Sequence, residues 1–198
     1  MITLEEVIQK SGLHPSRVIN VYPFGSRCYL NFSDKSDYDF LIIAKTPYPE
    51  REIINGVCNI HILSMDRFLE GLRTNNIRNI ECILYPNKLK EDIIIPYEIN
   101  TKGLRHSISH TCSNSWVKAM KKMQYNEYYI GIKSFYHALR ISMFGIQLAK
   151  DGCISDWQCA NHIWDDLVSR EWTWAELASK YQNTRNKLST EFKLNTNK

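Results

Sequence analysis

Phe24-Gly25-Ser26-Arg27, followed by Ser36-Asp37-Tyr38-Asp39, is the stretch from which the rest of the chain is read. Val18 to Tyr22 before it reads as a strand that Pro23 ends. Gly25-Ser26 then opens a short helical segment toward Leu30. Tyr38 to Ala44 is a short apolar run with the character of a buried strand. Backbone N–H groups at the start of such a helical segment attract anions, and the Ser26 hydroxyl adds a donor. Alternate side chains of a strand share a face, so Asp37 and Asp39 are expected to point the same way. Two like charges held that close repel unless a cation lies between them. Magnesium, bound by carboxylates and by the phosphates of a substrate, meets that need.

The composition sets bounds around this stretch. With 198 residues the chain can bury a proper core, as one domain or two small ones. Its 43% hydrophobic and 23% charged residues are ordinary for a globular protein. A net charge of +4 permits a polyanionic partner without demanding one. The six cysteines are scattered with no Cys-x-x-Cys pair, which argues against a zinc ribbon or a disulfide framework and for a reducing compartment. There is no charged-then-apolar leader and no apolar run long enough to span a bilayer. A cytoplasmic protein with no membrane partner is expected.

Punctuation along the chain divides it in two. Thr3-Leu4-Glu5-Glu6 is a capping box and Gly12 a stop, giving a first helix. Thr46 to Pro49 reads as a loop, Val57 to Leu63 as a strand, Met65 to Leu72 as a helix capped by Ser64, and Ile77 to Leu84 as another. From Thr101 onward there is no convincing strand and no proline. Helices are predicted from Leu104 to Gln124 and from Asn126 to about Asp151-Gly152. A third follows a capping box at Ser155-Asp156-Trp157-Gln158, and a fourth follows one at Thr173-Trp174-Ala175-Glu176 and reaches about Phe192. Ile132, Phe135, Leu139 and Phe144 lie near helical spacing as a core seam, and the late tryptophans belong to the same core. The expected fold is α+β, with a small mixed sheet and flanking helices over 1–98 and an antiparallel helical bundle over 99–198.

The two motifs, in this order and between two apolar strands, resemble the signature of the DNA polymerase β superfamily of nucleotidyltransferases: Gly-Ser, a spacer, then Asp-x-Asp. Gly25-Ser26-Arg27-Cys28-Tyr29 with Ser36-Asp37-Tyr38-Asp39-Phe40 is similar to one branch, the RNA-repair-pathway polymerase-β-like family with its small phage and bacterial members. That branch carries Tyr-Gly where this chain has Tyr29-Leu30. Looser matches continue in Ser64 to Leu69, Asn79 to Leu84, Lys133 to Arg140 and Asp151 to Ile154.

The resemblance implies transfer of a nucleoside monophosphate from a nucleoside triphosphate, such as ATP, to a hydroxyl acceptor. An RNA 3′ end is one such acceptor. Asp37 and Asp39 would hold Mg2+ or Mn2+, Gly25 and Ser26 would cradle the outer phosphates, and Arg27 would neutralise phosphate charge or remain a surface arginine. Lys133, Tyr136 and Arg140 would bind the nucleotide from the helical bundle, or serve there as core and snorkelling charge.

The superfamily adds a third carboxylate on a neighbouring strand. Here that strand reads Cys58-Asn59-Ile60-His61-Ile62, with no acid between Val57 and Leu63. Asn59 and His61 share a face, and either can stand in the slot. A neutral imidazole suits softer ions than magnesium, and His61 reads equally as a strand-end hydrogen-bonding group. Glu52 and Glu81 are more remote substitutes. The same gap supports an alternative, a catalytically weak or inactive relative that binds nucleotide or RNA. Lys118, Lys121 and Lys122 form a basic helix face, either solvated or tracking a phosphate backbone. His106 and His110 have metal-ligand spacing but lack the central Glu of a zinc protease motif, and read as surface residues.

Overall fold

The computed structural model describes residues 2–33 and 36–197. The chain divides into two compact units, Met1–Tyr97 and Glu98–Lys198.

The first unit is built on a five-stranded mixed sheet in the order β3-β4-β2-β1-β5. The strands are β1 (Val18–Phe24), β2 (Tyr38–Ala44), β3 (Glu50–Asn55), β4 (Cys58–Leu63) and β5 (Lys90–Glu91). β2 is central, antiparallel to β1 and parallel to β4, and Phe40 to Ala44 are all buried, as a strand covered on both faces requires. Helix α1 (Leu4–Ser11) begins at a complete Thr3/Glu6 capping box and ends at Gly12. Its Val7 joins Val18, Val21, Phe40, Ile42, Cys58, Ile60 and Ile62 in one core layer. The opposite sheet face carries Tyr22, Leu41, Ile43 and Leu63. Helices α2 (Met65–Arg73) and α3 (Ile77–Leu84) supply Phe68 and Ile80 to the unit's core, Phe68 stacking on Tyr22 at 5.9 Å between ring centroids.

The sheet differs from the sequence reading at β1, at β3 and at β5, where no strand is expected. Pro23 does not end β1, which runs on to Phe24 with Pro23 opposite Phe40. The other side of β1 pairs with β5 only at Asn20 and Val21. At Pro23 that side is an open edge, where a missing N–H leaves no partner unsatisfied. The sequence pattern assigns no element to Glu50–Asn55, which forms strand β3. It is an edge strand, joined to β4 through Gly56-Val57, with Gly56 at φ 61°. Its charged residues hide the strand pattern, while Asn55-Gly56 is an ordinary hairpin signal.

The second unit is all helical, with α4 (Thr101–Gln124), α5 (Tyr128–Asp151), α6 (Asn161–Val168) and α7 (Trp174–Asn195). A three-residue connection makes α4 and α5 an antiparallel hairpin, and Ser142 of α5 donates to Cys112 of α4. Arg185 lies over Trp116, and Trp174 packs edge-on against it, so α7 packs along α4 as well. Ile132, Phe135, Leu139 and Phe144 are buried as the spacing predicts. Trp116, Phe135, Trp172 and Tyr181 belong to one cluster, with Trp164 and Trp174 packed against it. The third helix does not start at Ser155. Oε1 of Gln147 accepts from the amides of Ser155 (3.0 Å) and Asp156 (2.8 Å), pinning that segment to α5, and α6 begins only at Asn161. The Thr173/Glu176 capping box forms as read.

No disulfide joins the six cysteines: Cys28, Cys58 and Cys82 are buried, Cys112 and Cys159 half-buried, and Cys153 exposed. No helix among the described residues is long and apolar enough to cross a membrane.

Candidate active site

The end of the sheet where β1 finishes and β2 and β4 begin gathers the residues that the sequence singles out. Phe24 is opposite Asp39, and Asp39 is in parallel register with Asn59. Between Phe24 and the one-turn helix Ser26–Tyr29, Gly25 has φ 82° and ψ −165°, a conformation essentially confined to glycine. A side chain there would also have no room. A Cβ on Gly25 would fall 2.9 Å from Cγ of Asp39 and closer still to one carboxylate oxygen. The bare backbone of the Gly-Ser turn therefore lies directly against the Asp39 carboxylate.

Asp37 stands one residue ahead of β2 and is exposed. Its carbonyl accepts from Nε of Arg27 at 3.3 Å, and the Ser36 carbonyl accepts from Nη2 at 2.7 Å. The Arg27 guanidinium also lies between two rings, 3.6 Å from the Tyr38 centroid and 4.6 Å from that of Phe32. Arg27 thus joins the two motifs as a staple. The turn closes at Leu30, a non-glycine residue with φ 56° that is 61% exposed. Behind it, the Tyr29 hydroxyl donates to the buried carboxylate of Glu81 on α3 at 3.1 Å.

On β4 the two residues considered for the third-carboxylate slot take different places. Nδ2 of Asn59 donates to Oδ1 of Asp39 at 3.2 Å. Oδ1 of Asn59 is buried and has no hydrogen-bond partner. His61 lies one pleat further along. A guanidinium can only donate, so Arg78 of α3, 3.1 Å from Nδ1 of His61, takes that lone pair and puts the ring proton on Nε2. Nε2 lies 3.4 Å from Oε1 of Glu52, which faces His61 across the β3–β4 pair. Burial, then the Arg78 charge, holds the His61 pKa below its usual range against the pull of Glu52 and Glu50. The ring is neutral, with neither nitrogen left to offer a lone pair. Among the described residues no group of three His, Cys, Asp or Glu side chains could hold a metal ion.

Lys133, Tyr136 and Arg140 lie on α5 in the second unit. Lys133 is exposed, its ammonium 5.2 Å from the Tyr129 ring centroid. Tyr136 is buried, and its hydroxyl donates to Asn161 at 3.1 Å. Arg140 is buried, donates to Nδ1 of His137 at 3.1 Å and lies over Phe144. Of the three lysines on α4, Lys122 is tied to Glu127 at 2.6 Å, leaving Lys118 and Lys121 as the exposed pair. His106 and His110 are exposed and stack on each other.

No family model and no curated protein matches the chain. Several solved structures are similar to it at low identity, among them three from different organisms. One is a spectinomycin adenyltransferase from Enterococcus faecialis, solved with ATP and spectinomycin. It is 12% identical, over 97% of this chain and 100% of that one, with a TM-score of 0.47. Another is a nucleotidyltransferase-like protein from Exiguobacterium sibiricum (14% identical; 96% and 73% covered; TM-score 0.35). The third is an aminoglycoside 6-adenyltransferase from Bacillus subtilis (12% identical; 97% and 89% covered; TM-score 0.33).

Sequence reasoning missed Arg78 as the partner of His61, because the contact joins a helix to a strand and follows no local spacing. The parallel register of β2 with β4, which settles that Asn59 and not His61 stands beside Asp39, is likewise invisible in a single strand.

Proposed function

We propose that the chain is a nucleotidyltransferase that moves a nucleoside monophosphate from a nucleoside triphosphate, ATP among them, to a hydroxyl acceptor. The acceptor oxygen attacks the α-phosphorus, the bridging bond to the β-phosphate breaks, pyrophosphate leaves, and the hydroxyl proton passes to solvent. The observation that carries the reading is the closure of Gly25 on Asp39. A turn stripped of side chains lets phosphate oxygens approach backbone donors closely. The carboxylate beside it would repel that phosphate unless a cation lay between.

The residues present suit a divalent cation such as Mg2+ or Mn2+. Asp37 and Asp39 offer oxygen ligands, and Asn59 adds a buried oxygen with no other partner. Bound there, the cation would neutralise phosphate charge and help align the reacting oxygens. The chain's own part is positioning. Gly25 and Ser26 receive the phosphates, Asn59 orients Asp39, and Arg27 fixes the approach of Ser36-Asp37 to the turn. Lys133, Tyr136 and Arg140 are proposed for the nucleotide and an RNA 3′ end for the acceptor, with Lys118 and Lys121 contacting its phosphates. Cysteines outside any disulfide suit a cytoplasmic setting.

Pyrophosphate release from the four nucleoside triphosphates, with Mg2+ or Mn2+ and a small RNA, tests the proposal. The parent should turn over at least one of them, and Asp39→Asn should reduce the rate by about 100-fold or more, the scale of losing a charge-stabilising group. A second reading is favoured by the engaged His61 and the missing third acid: a nucleotide-binding module with little or no turnover. Triphosphate-dependent stabilisation without pyrophosphate release would select it. With neither stabilisation nor release, both readings fall.

A further inference from the structure

The unpartnered oxygen of Asn59 leads to an inference that rests on the cation-dependent reading above. The side-chain amide has two unlike ends at the same spot. Its NH2 end donates to Asp39 at 3.2 Å, and its oxygen is buried without a partner. Leaving a buried acceptor unsatisfied is unfavourable, so this orientation is held by its value to Asp39 and not by the amide's own needs. A half-turn about Cβ–Cγ exchanges oxygen and nitrogen with almost no change in volume. It brings two acceptor oxygens, from Asn59 and Asp39, face to face. Two facing acceptors repel, and a cation between them removes that repulsion.

We infer that Asn59 is a two-position partner of Asp39. With no cation its NH2 group holds the carboxylate in place. With a cation the amide turns and its oxygen becomes a ligand beside Asp37 and Asp39. A carboxylate at this position could do only the second, and without a cation it would repel Asp39 across a strand register of neighbouring residues. The amide therefore keeps the site assembled when empty, and it holds the cation more weakly than a third acid would, because ligand charge sets affinity for hard divalent ions.

The test compares the full chain with Asn59→Asp, Asn59→Leu and Asp39→Asn. Two quantities are read: thermal stability in chelator, and Mn2+ binding by electron paramagnetic resonance of the free ion. Asn59→Asp should melt lower than the parent in chelator, bind Mn2+ about tenfold or more tightly, and gain more stability from it. Asn59→Leu, which keeps the bulk and removes the oxygen, should bind Mn2+ about tenfold or more weakly. Parent-like Mn2+ affinity in Asn59→Leu would overturn the inference. So would an Asn59→Asp variant destabilised equally with and without Mn2+, and this comparison decides even if the leucine variant fails to fold. Failure of the underlying reading has its own signature: Asp39→Asn binds Mn2+ as the parent does, or the parent binds none. Either result overturns the inference as well.

Discussion

At the residue scale the turn between the two motifs contains one position that must be glycine and one that would be eased by it. Gly25 combines positive φ with a near-extended ψ and sits against a carboxylate. Gly25→Ala meets a backbone penalty of about 1–3 kcal/mol and also displaces Asp39. Leu30 has φ 56° and ψ 33° with its side chain largely in water. Left-handed backbone costs a residue with a Cβ about 1–2 kcal/mol, and a glycine's extra freedom in the unfolded chain costs about 0.5–1 kcal/mol. Leu30→Gly should therefore raise stability by about 0.5–1 kcal/mol, while Gly25→Ala lowers it by more than 1 kcal/mol and impairs triphosphate binding. Urea denaturation of the two variants measures the pair. A stable Gly25→Ala variant with unchanged nucleotide binding would remove the turn from the site.

At the element scale, a buried side chain reinforces the short β1–β5 pairing that holds β1 to the chain's return. Asn20 is fully buried in the middle of the strand. Its Nδ2 donates to the Tyr22 hydroxyl (2.6 Å) and the Ile93 carbonyl (2.8 Å), and its Oδ1 accepts from the Ile93 amide (3.1 Å). Removing it takes away three hydrogen bonds, one to the buried Tyr22 hydroxyl and two to the Ile93 backbone, each worth about 0.5–1.5 kcal/mol. Asn20→Ala should destabilise the first unit by at least about 2 kcal/mol and release Ile93 to fast amide hydrogen exchange. Slow exchange at Ile93 in that variant would show β5 to be anchored elsewhere. The sequence read β2, β4, α2 and α3 within a residue or two, because each pairs an apolar run with a clear cap or turn. It missed β5, a pair of charged residues whose pairing is legible only through the polar Asn20 opposite. For the candidate site, Gly25 and Asp39 stand out by local pattern and the Asn59/His61 slot is what the family resemblance implies, but the placement of Asn59 beside Asp39 required the β2–β4 register, and the engagement of Arg27 required the course of the chain to Ser36.

Across the whole molecule, the second unit carries a built-in acid sensitivity. Burial first, with Arg140 and then Lys118 adding positive charge, pulls the His137 pKa down to about 3. An unfolded histidine titrates near 6.5. The unfolded chain therefore takes up the proton first, so stability is full above about pH 6.5 and falls as pH drops toward about 3, by up to about 1.4 kcal/mol per pH unit from this group. His137→Gln keeps an acceptor for Arg140 and removes the titration. Its urea midpoint should fall less between about pH 7 and pH 5 than the parent's, and identical slopes would exclude His137 as the cause. Finally, the thiols give each unit its own clock. Cys153, exposed just past α5, would take up a maleimide dye within the mixing time. Cys28, Cys58 and Cys82, sealed in the first unit, would react only when that unit opens. Cys112 and Cys159, whose thiols burial pushes up to about 11, would do the same for the second unit. Counting dyes per molecule against time, on the unaltered chain, would report which half of the protein breathes first.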